Sequence, residues 1–231
     1  MKTSKIIFIS LLGAIALLIL TIVVDIKVKG KPNNYSDADF KINKQMVASY
    51  KVLCLNGSRN ITVVHSDSSF VEVRYRKDSI VPKINYTIKG DTLIVSDFEK
   101  SVHRYESIRI YTTDSLKSIQ MNNSDASIMR FGFGRLSLNL DKSSVWMDAD
   151  KGDKNSLPML DVVAKNHSVF NTGDFKVDSF GIVLQNSRAN VRISTKKISG
   201  SLADSSRIDA RQPEDISLKK DGTSRINVND Y

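Results

Sequence analysis

The sequence is short of the features that mark a stapled, low-complexity or motif-driven protein. It holds one cysteine, so no intramolecular disulfide can form and a disulfide scaffold is excluded. Four prolines and eleven glycines among 231 residues are too few for a collagen-like or linker-like chain. Aromatics are only 7%, and no basic run is interleaved with them as single-strand nucleic-acid binding prefers. No Gly-x-Ser-x-Gly, His-Glu-x-x-His or phosphate-loop pattern occurs, and Gly132-Phe-Gly134 lacks a third glycine and reads as a bend. What is there is an ordinary folding composition, 41% hydrophobic and 26% charged, which argues against disorder.

The formal charge of +9 first suggests nucleic acid. Its distribution argues otherwise. Lys2, Lys5, Lys27, Lys29 and Lys31 against Asp25 account for nearly half of it, and all flank one apolar segment. The stretch 196–231 carries seven Lys/Arg against six Asp/Glu. No nucleic-acid partner is expected.

That apolar segment, Ile6–Val24, runs nineteen residues without a charge, and fourteen of them are Ile, Leu, Val or Phe. As a helix it would rise about 28 Å, close to a bilayer core. A cleaved signal peptide competes, with Ala14-Ile15-Ala16 as its small-x-small site, but an apolar region of this length exceeds the usual one. The segment predicts an uncleaved signal anchor. The expected localisation is therefore the cell membrane, single-pass, with the C-terminal domain outside the cytoplasm and the lipid bilayer as a partner through Ile6–Val24.

The domain division that follows is a tail over 1–5, an anchor over 6–24, a linker over 25–43, a β portion over 44–117 and repeated coils over 118–231. Asp37–Met46 reads as a short helical turn or an extended spacer. Beyond it, Val71, Val73 and Tyr75 alternate with Glu72, Arg74 and Arg76, and Ile84, Tyr86 and Ile88 alternate with Asn85, Thr87 and Lys89. Period two means a sheet with one buried face. Gly90-Asp91 is a hairpin turn. Ile108 and Ile110 mark a further strand. Cys54, in the apolar run Val52–Leu55, reads as a buried inert thiol.

From residue 118 a polar Asn/Asp-Ser cluster recurs six times, closing on Ile128, Val145, Val169, Val191, Ile208 and Ile226. Met121, Leu138, Leu140, Val162, Leu184, Leu202 and Leu218 precede the clusters. Gly152–Pro158 reads as an inserted loop. A short unit of this kind is one coil of a β-solenoid, which cannot bury its apolar face until coils stack. Corner Asn or Asp is expected to bond its own backbone and its counterpart in the next coil. A β-sandwich or meander is the alternative.

Tyr50–Ser66, the strand Phe70–Tyr75, the hairpin Ile84–Val95 and the serial polar corners together resemble the bacterial auto-transporter adhesin, head-GIN domain family, a family of unknown function common in Bacteroidota. The resemblance covers residues 49–231. It implies an all-β fold, a right-handed parallel β-helix with antiparallel hairpin elements at its start, here preceded by one transmembrane helix. It implies no enzyme activity.

Candidate chemistry is sparse. His65, His103 and His167 read as exposed or capping histidines. Asp148-Ala-Asp150-Lys-Gly152-Asp153 mimics the start of a calcium loop, but Gly152 stands at a ligand position, so it reads as a solvated turn. Asp141 and Asp161 could line up on neighbouring coils as the paired carboxylates of a glycosidase, yet six similar corners single out no pair. No catalytic, cofactor-binding or metal residue is assigned, and no cofactor is expected. The reading is a membrane-anchored, non-enzymatic binding, adhesion-like or scaffolding module for an envelope glycan or protein. The alternative is a carbohydrate-active enzyme, a polysaccharide lyase or glycosidase on a β-helix. The oligomeric state is not legible.

Overall fold

The computed structural model describes residues 2–29, 39–77, 85–96, 107–149 and 156–229, with side chains left aside for 2–10 and 25–29. The chain divides into two units, Met1–Asp39 and Phe40–Tyr231. The first holds helix α1 (Lys2–Lys29).

Here the sequence expectation needs correcting. Among the described residues no helix is long and apolar enough to cross a membrane. The transmembrane helix and signal anchor over Ile6–Val24, the single-pass cell-membrane localisation and the bilayer partner are not sustained.

The second unit is all-β, built from two large, mostly parallel sheets. Along the chain come β1 (Phe40–Met46), β2 (Val52–Asn56), β3 (Ile61–His65), β4 (Phe70–Arg76), β5 (Tyr86–Lys89), β6 (Thr92–Ser96) and β7 (Ser107–Thr112). Then follow β8 (Ser118–Asn122), β9 (Asp125–Met129), β10 (Arg135–Asp141), β11 (Ser144–Asp148), β12 (Ser156–Lys165) and β13 (Val169–Thr172). The last are β14 (Lys176–Gln185), β15 (Arg188–Val191), β16 (Ser194–Ala203), β17 (Arg207–Arg211), β18 (Asp215–Lys220) and β19 (Arg225–Asn229). From β8 onward the chain alternates sheets, so each successive pair of strands forms one tier. Sheet A runs β1-β4-β7-β3-β9-β11-β13-β15-β17-β19, and sheet B runs β18-β16-β14-β12-β10-β8-β2-β6-β5.

Period-two alternation drives this packing. In sheet B, Leu53, Leu93, Ile119, Leu138, Val162 and Ile182 stack in register and are buried. In sheet A the matching column is Ile108, Ile61, Ala126, Val145, Phe170, Ala189 and Ile208. The two inward faces meet in one core.

The corners from β8–β9 to β16–β17, each between a sheet B strand and the next sheet A strand, are built in two parts. A residue with positive φ turns the chain: Asn123 at 48°, Lys142 at 50°, Asn166 at 55°, Asn186 at 47° and Asp204 at 57°. Asn and Asp tolerate this region best among residues with a Cβ. The serine that follows then buries its hydroxyl. Ser58, Ser124, Ser143, Ser168, Ser187, Ser206 and Ser224 form a ladder in which each backbone N–H donates to the next serine's Oγ, at 3.0–3.2 Å. The hydroxyls in turn donate to carbonyls two or three residues back, as Ser143 does to Asp141 at 2.7 Å and Ser187 to Gln185 at 2.9 Å. Serine thus links the tiers, and the expected Asn/Asp links are present beside it at some corners: Asn166 Nδ2 donates to Asp141 Oδ1 at 2.8 Å, and the Asp204 N–H donates to Asp221 Oδ2 at 2.8 Å.

The repeat itself is also sharper than its sequence outline. From Ser124 onward the ladder steps are 19, 25, 19, 19 and 18 residues. The inward residue lies two after the serine, so Val169 faces outward and Phe170 is the buried one. The long step holds residues 150–155, which lie outside the described residues, while Leu157 and Pro158 belong to β12 rather than to an inserted loop.

At its start the unit is antiparallel. Phe40–Met46 is strand β1, not a helical turn or spacer, and pairs with β4. The Gly90-Asp91 turn joins β5 to β6 as expected, with Gly90 at φ 58°. Ile84 and His103 lie outside the described residues.

Candidate functional site

Sheet B presents an outward groove where β6, β2, β8, β10 and β12 lie side by side. Period two sets its floor. Leu53 and Leu55 point inward, so Cys54 between them points out. The same rule turns out Gln120 and Asn122 of β8, Asn139 and Asp141 of β10, and Val163 and Lys165 of β12. Parallel register brings these into two rows. One is Ile94, Cys54, Gln120, Asn139 and Val163. The other is Ser96, Asn56, Asn122, Asp141 and Lys165. The groove along them has a volume of about 540 Å³. Strands about 4.8 Å apart repeat the amide groups at that interval.

The chemistry of this floor is amide-rich and hydrogen-bonding, with one carboxylate, Asp141, and one ammonium, Lys165, side by side in the second row. Each free primary amide offers two donors and an acceptor in one plane. Cys54 is half-buried, with Sγ 3.5 Å from Gln120 Oε1. Burial pushes its thiol pKa up, which keeps it protonated and poorly nucleophilic at neutral pH. The thiol is thus half-buried in a groove wall, not sealed in the core as the apolar run suggested. Asp141 accepts from Asn166 Nδ2 at 2.8 Å.

The other residues singled out by sequence fall elsewhere. Asp161 pairs in register with Ser137 and Gly181, whereas Asp141 pairs with Asn122 and Lys165. The two carboxylates sit on different rows, and Asp161 instead binds Arg135 at 2.8 Å. They are not a matched pair. His65 Nε2 contacts Asp114 Oδ1 at 2.5 Å, with its ring edge-on to Phe133 and over Gly132. His167 Nε2 lies 3.3 Å from Asn186 Nδ2 at a corner. Asp148 accepts from the Ala149 N–H, and the rest of the calcium-like motif, 150–153, lies outside the described residues. The groove was missed in the sequence because its residues lie up to 111 positions apart, from Cys54 to Lys165. The signal for it was the outward half of each period-two strand.

No family model matches the chain, and no curated protein matches it. Solved structures resemble it in fold. A putative adhesin from Bacteroides fragilis is 14% identical, covering 82% of this chain and 97% of its own, with a TM-score of 0.48. A putative adhesin from Parabacteroides merdae is 11% identical, covering 84% and 98%, with a TM-score of 0.42. A putative lipid binding protein from Parabacteroides distasonis is 15% identical, covering 84% and 98%, with a TM-score of 0.34. The structures similar to this chain thus include adhesin-class proteins of the bacterial group named by the resemblance.

Proposed function

We propose that residues 40–231 form a right-handed parallel β-helix, each tier being one coil, and that this unit is a non-enzymatic, adhesion-like binding module. The handedness follows from the general preference of parallel crossovers. The domain division goes with this reading, with a capping β portion before residue 118 and stacked coils after it. The ligand proposed is a neutral, hydroxyl-rich glycan lying across the strands in the sheet B groove. The observation that carries the reading is the in-register row of Gln120 and Asn139 beside Asn56 and Asn122. Planar amides at a fixed repeat match the alternating donors and acceptors of sugar hydroxyls, and a rigid sheet fixes their backbone spacing before binding.

The test is binding of the full chain to a panel of immobilised neutral glycans. Retention of at least one glycan is expected, with Kd weakened about tenfold or more in the Gln120→Ala, Asn139→Ala double variant, as loss of two hydrogen bonds of ~0.5–1.5 kcal/mol each implies. Failure of every glycan to bind, or an unchanged Kd in the variant, would sink the proposal. Release of reducing sugar from any glycan would favour a hydrolase instead.

A further inference from the structure

Sheet A carries a second groove, of about 610 Å³, running across the tiers beside the serine ladder. Its lining includes His167, Arg188, Arg207 and Arg225, with Ser168, Asn186, Ser187, Ser205, Ser206 and Thr223 between them, and no carboxylate. The three arginines stand directly in register: Arg188 opposite Arg207, and Arg207 opposite Arg225. All three are exposed.

This arrangement is costly without a partner. Like charges directly opposite on neighbouring strands repel, and three guanidinium stems about 4.8 Å apart sit in one column. Arg207 is partly offset, since it forks onto Asp209 at 2.7 and 2.8 Å. That contact holds the Asp209 carboxyl below its usual range, chiefly through the Arg207 hydrogen bond. Arg188 and Arg225 have no such fork among the described residues, and Arg188 meets Asp209 only through its charge. Asp221, at the same corner, is taken up by the N–H groups of Asp204, Thr223 and Ser224.

We infer that this column is a binding site for a linear polyanionic glycan whose sugars carry carboxylates. Guanidinium groups recognise carboxylates bidentately. A single anion would satisfy one arginine, whereas a chain with regularly spaced carboxylates meets all three. The hydroxyls and amides between the arginines suit the sugar ring. No Phe, Tyr or Trp lines the groove, so bases have nothing to stack on, which disfavours single-stranded nucleic acid. The site is separate from the sheet B groove and does not depend on it.

The experiment titrates the purified full chain with polygalacturonate, with its fully methyl-esterified form and with single-stranded DNA, at two salt concentrations. Polygalacturonate is expected to bind, more weakly at higher salt, while the esterified polymer does not. The Arg188→Gln, Arg225→Gln variant is expected to lose affinity tenfold or more with its Tm unchanged or raised, because a repulsion is relieved. Should that variant not fold, Arg188→Lys, Arg225→Lys keeps the charge and loses the fork, and a several-fold loss is expected. Equal binding of the esterified polymer, DNA binding as tight as polygalacturonate, or full affinity in the variant would overturn the assignment.

Discussion

At the residue scale the serine at each corner does the joining. Ser187 is 7% exposed, accepts from the Ser168 N–H at 3.2 Å and donates to the Gln185 carbonyl at 2.9 Å. Alanine there would leave the buried Ser168 N–H without its partner, while the Gln185 carbonyl keeps the Asn166 N–H. Ser187→Ala is expected to destabilise by about 1–3 kcal/mol, seen as a lower urea midpoint at constant slope. Ser201→Ala, at a half-exposed position of the neighbouring strand, should stay within about 0.5 kcal/mol. A loss no greater at Ser187 than at Ser201 would deny the ladder its role. The corners were legible in the sequence as Asn/Asp-Ser clusters, but their labour was not. Both residue types are turn-formers, and only coordinates separate the one that bends the chain from the one that bonds across it.

At the element scale, register is fixed by a few tight places. Gly200 lies inside β16 at φ 143°, and a Cβ built there would come 1.7 Å from the Ile182 carbonyl oxygen of β14. Neither the backbone conformation nor the space accepts a side chain, and the obstacle is main chain that cannot swing aside. Gly200→Ala is expected to cost more than about 2 kcal/mol, whereas Gly181→Ala meets only the movable Asp161 carboxylate and should cost less. Equal thermal melts for the two variants would contradict this. Strands with one buried face, such as β4, could be read from alternation alone, and the β5–β6 hairpin from its Gly90-Asp91 turn, but Ile88, expected on a buried face of β5, is exposed. β1 could not be read that way. Its sequence, FKINKQM, is mostly outward-facing, and it holds its place by pairing with β4 and by cation–ring contacts, with Lys44 3.6 Å from the Phe70 centroid and Arg74 4.3 Å from Phe40. An edge strand rich in lysine carries little apolar signal.

At the scale of the whole molecule the two ends differ. At one end antiparallel strands, β1 and β4 on sheet A and β5 on sheet B, close the stack. At the other, β18 and β19 are the outermost strands of their sheets, β18 mostly exposed and β19 half-buried at best. Ile216 is 41% exposed there. Local stability follows buried contact, so amide hydrogen exchange is expected to be slowest in β8–β14 and to quicken through β16 to β18 and β19. Uniform protection out to β19 would contradict it. Lys219, Lys220 and Arg225 stand on this end and blunt its open edges against pairing with another chain. The order of strands near the start was beyond sequence reasoning, because β2 and β3 pair with β6 to β9, far along the chain, and local patterns carry no record of such partners.

That order has a consequence for how such a protein could grow. The tier of β2 and β3 lies between that of β6 and β7 and that of β8 and β9, although the chain makes it first. It is spliced in, with later segments on both flanks. Removing it would sever the closed end from everything after it, because β7 meets sheet A only through β3 and β4. Tiers beyond β9 have no such duty, since each rests only on its neighbours. Lineages of this architecture should therefore lengthen or shorten at the C-terminal side alone, with the strands from β1 to β9 inherited as an indivisible block.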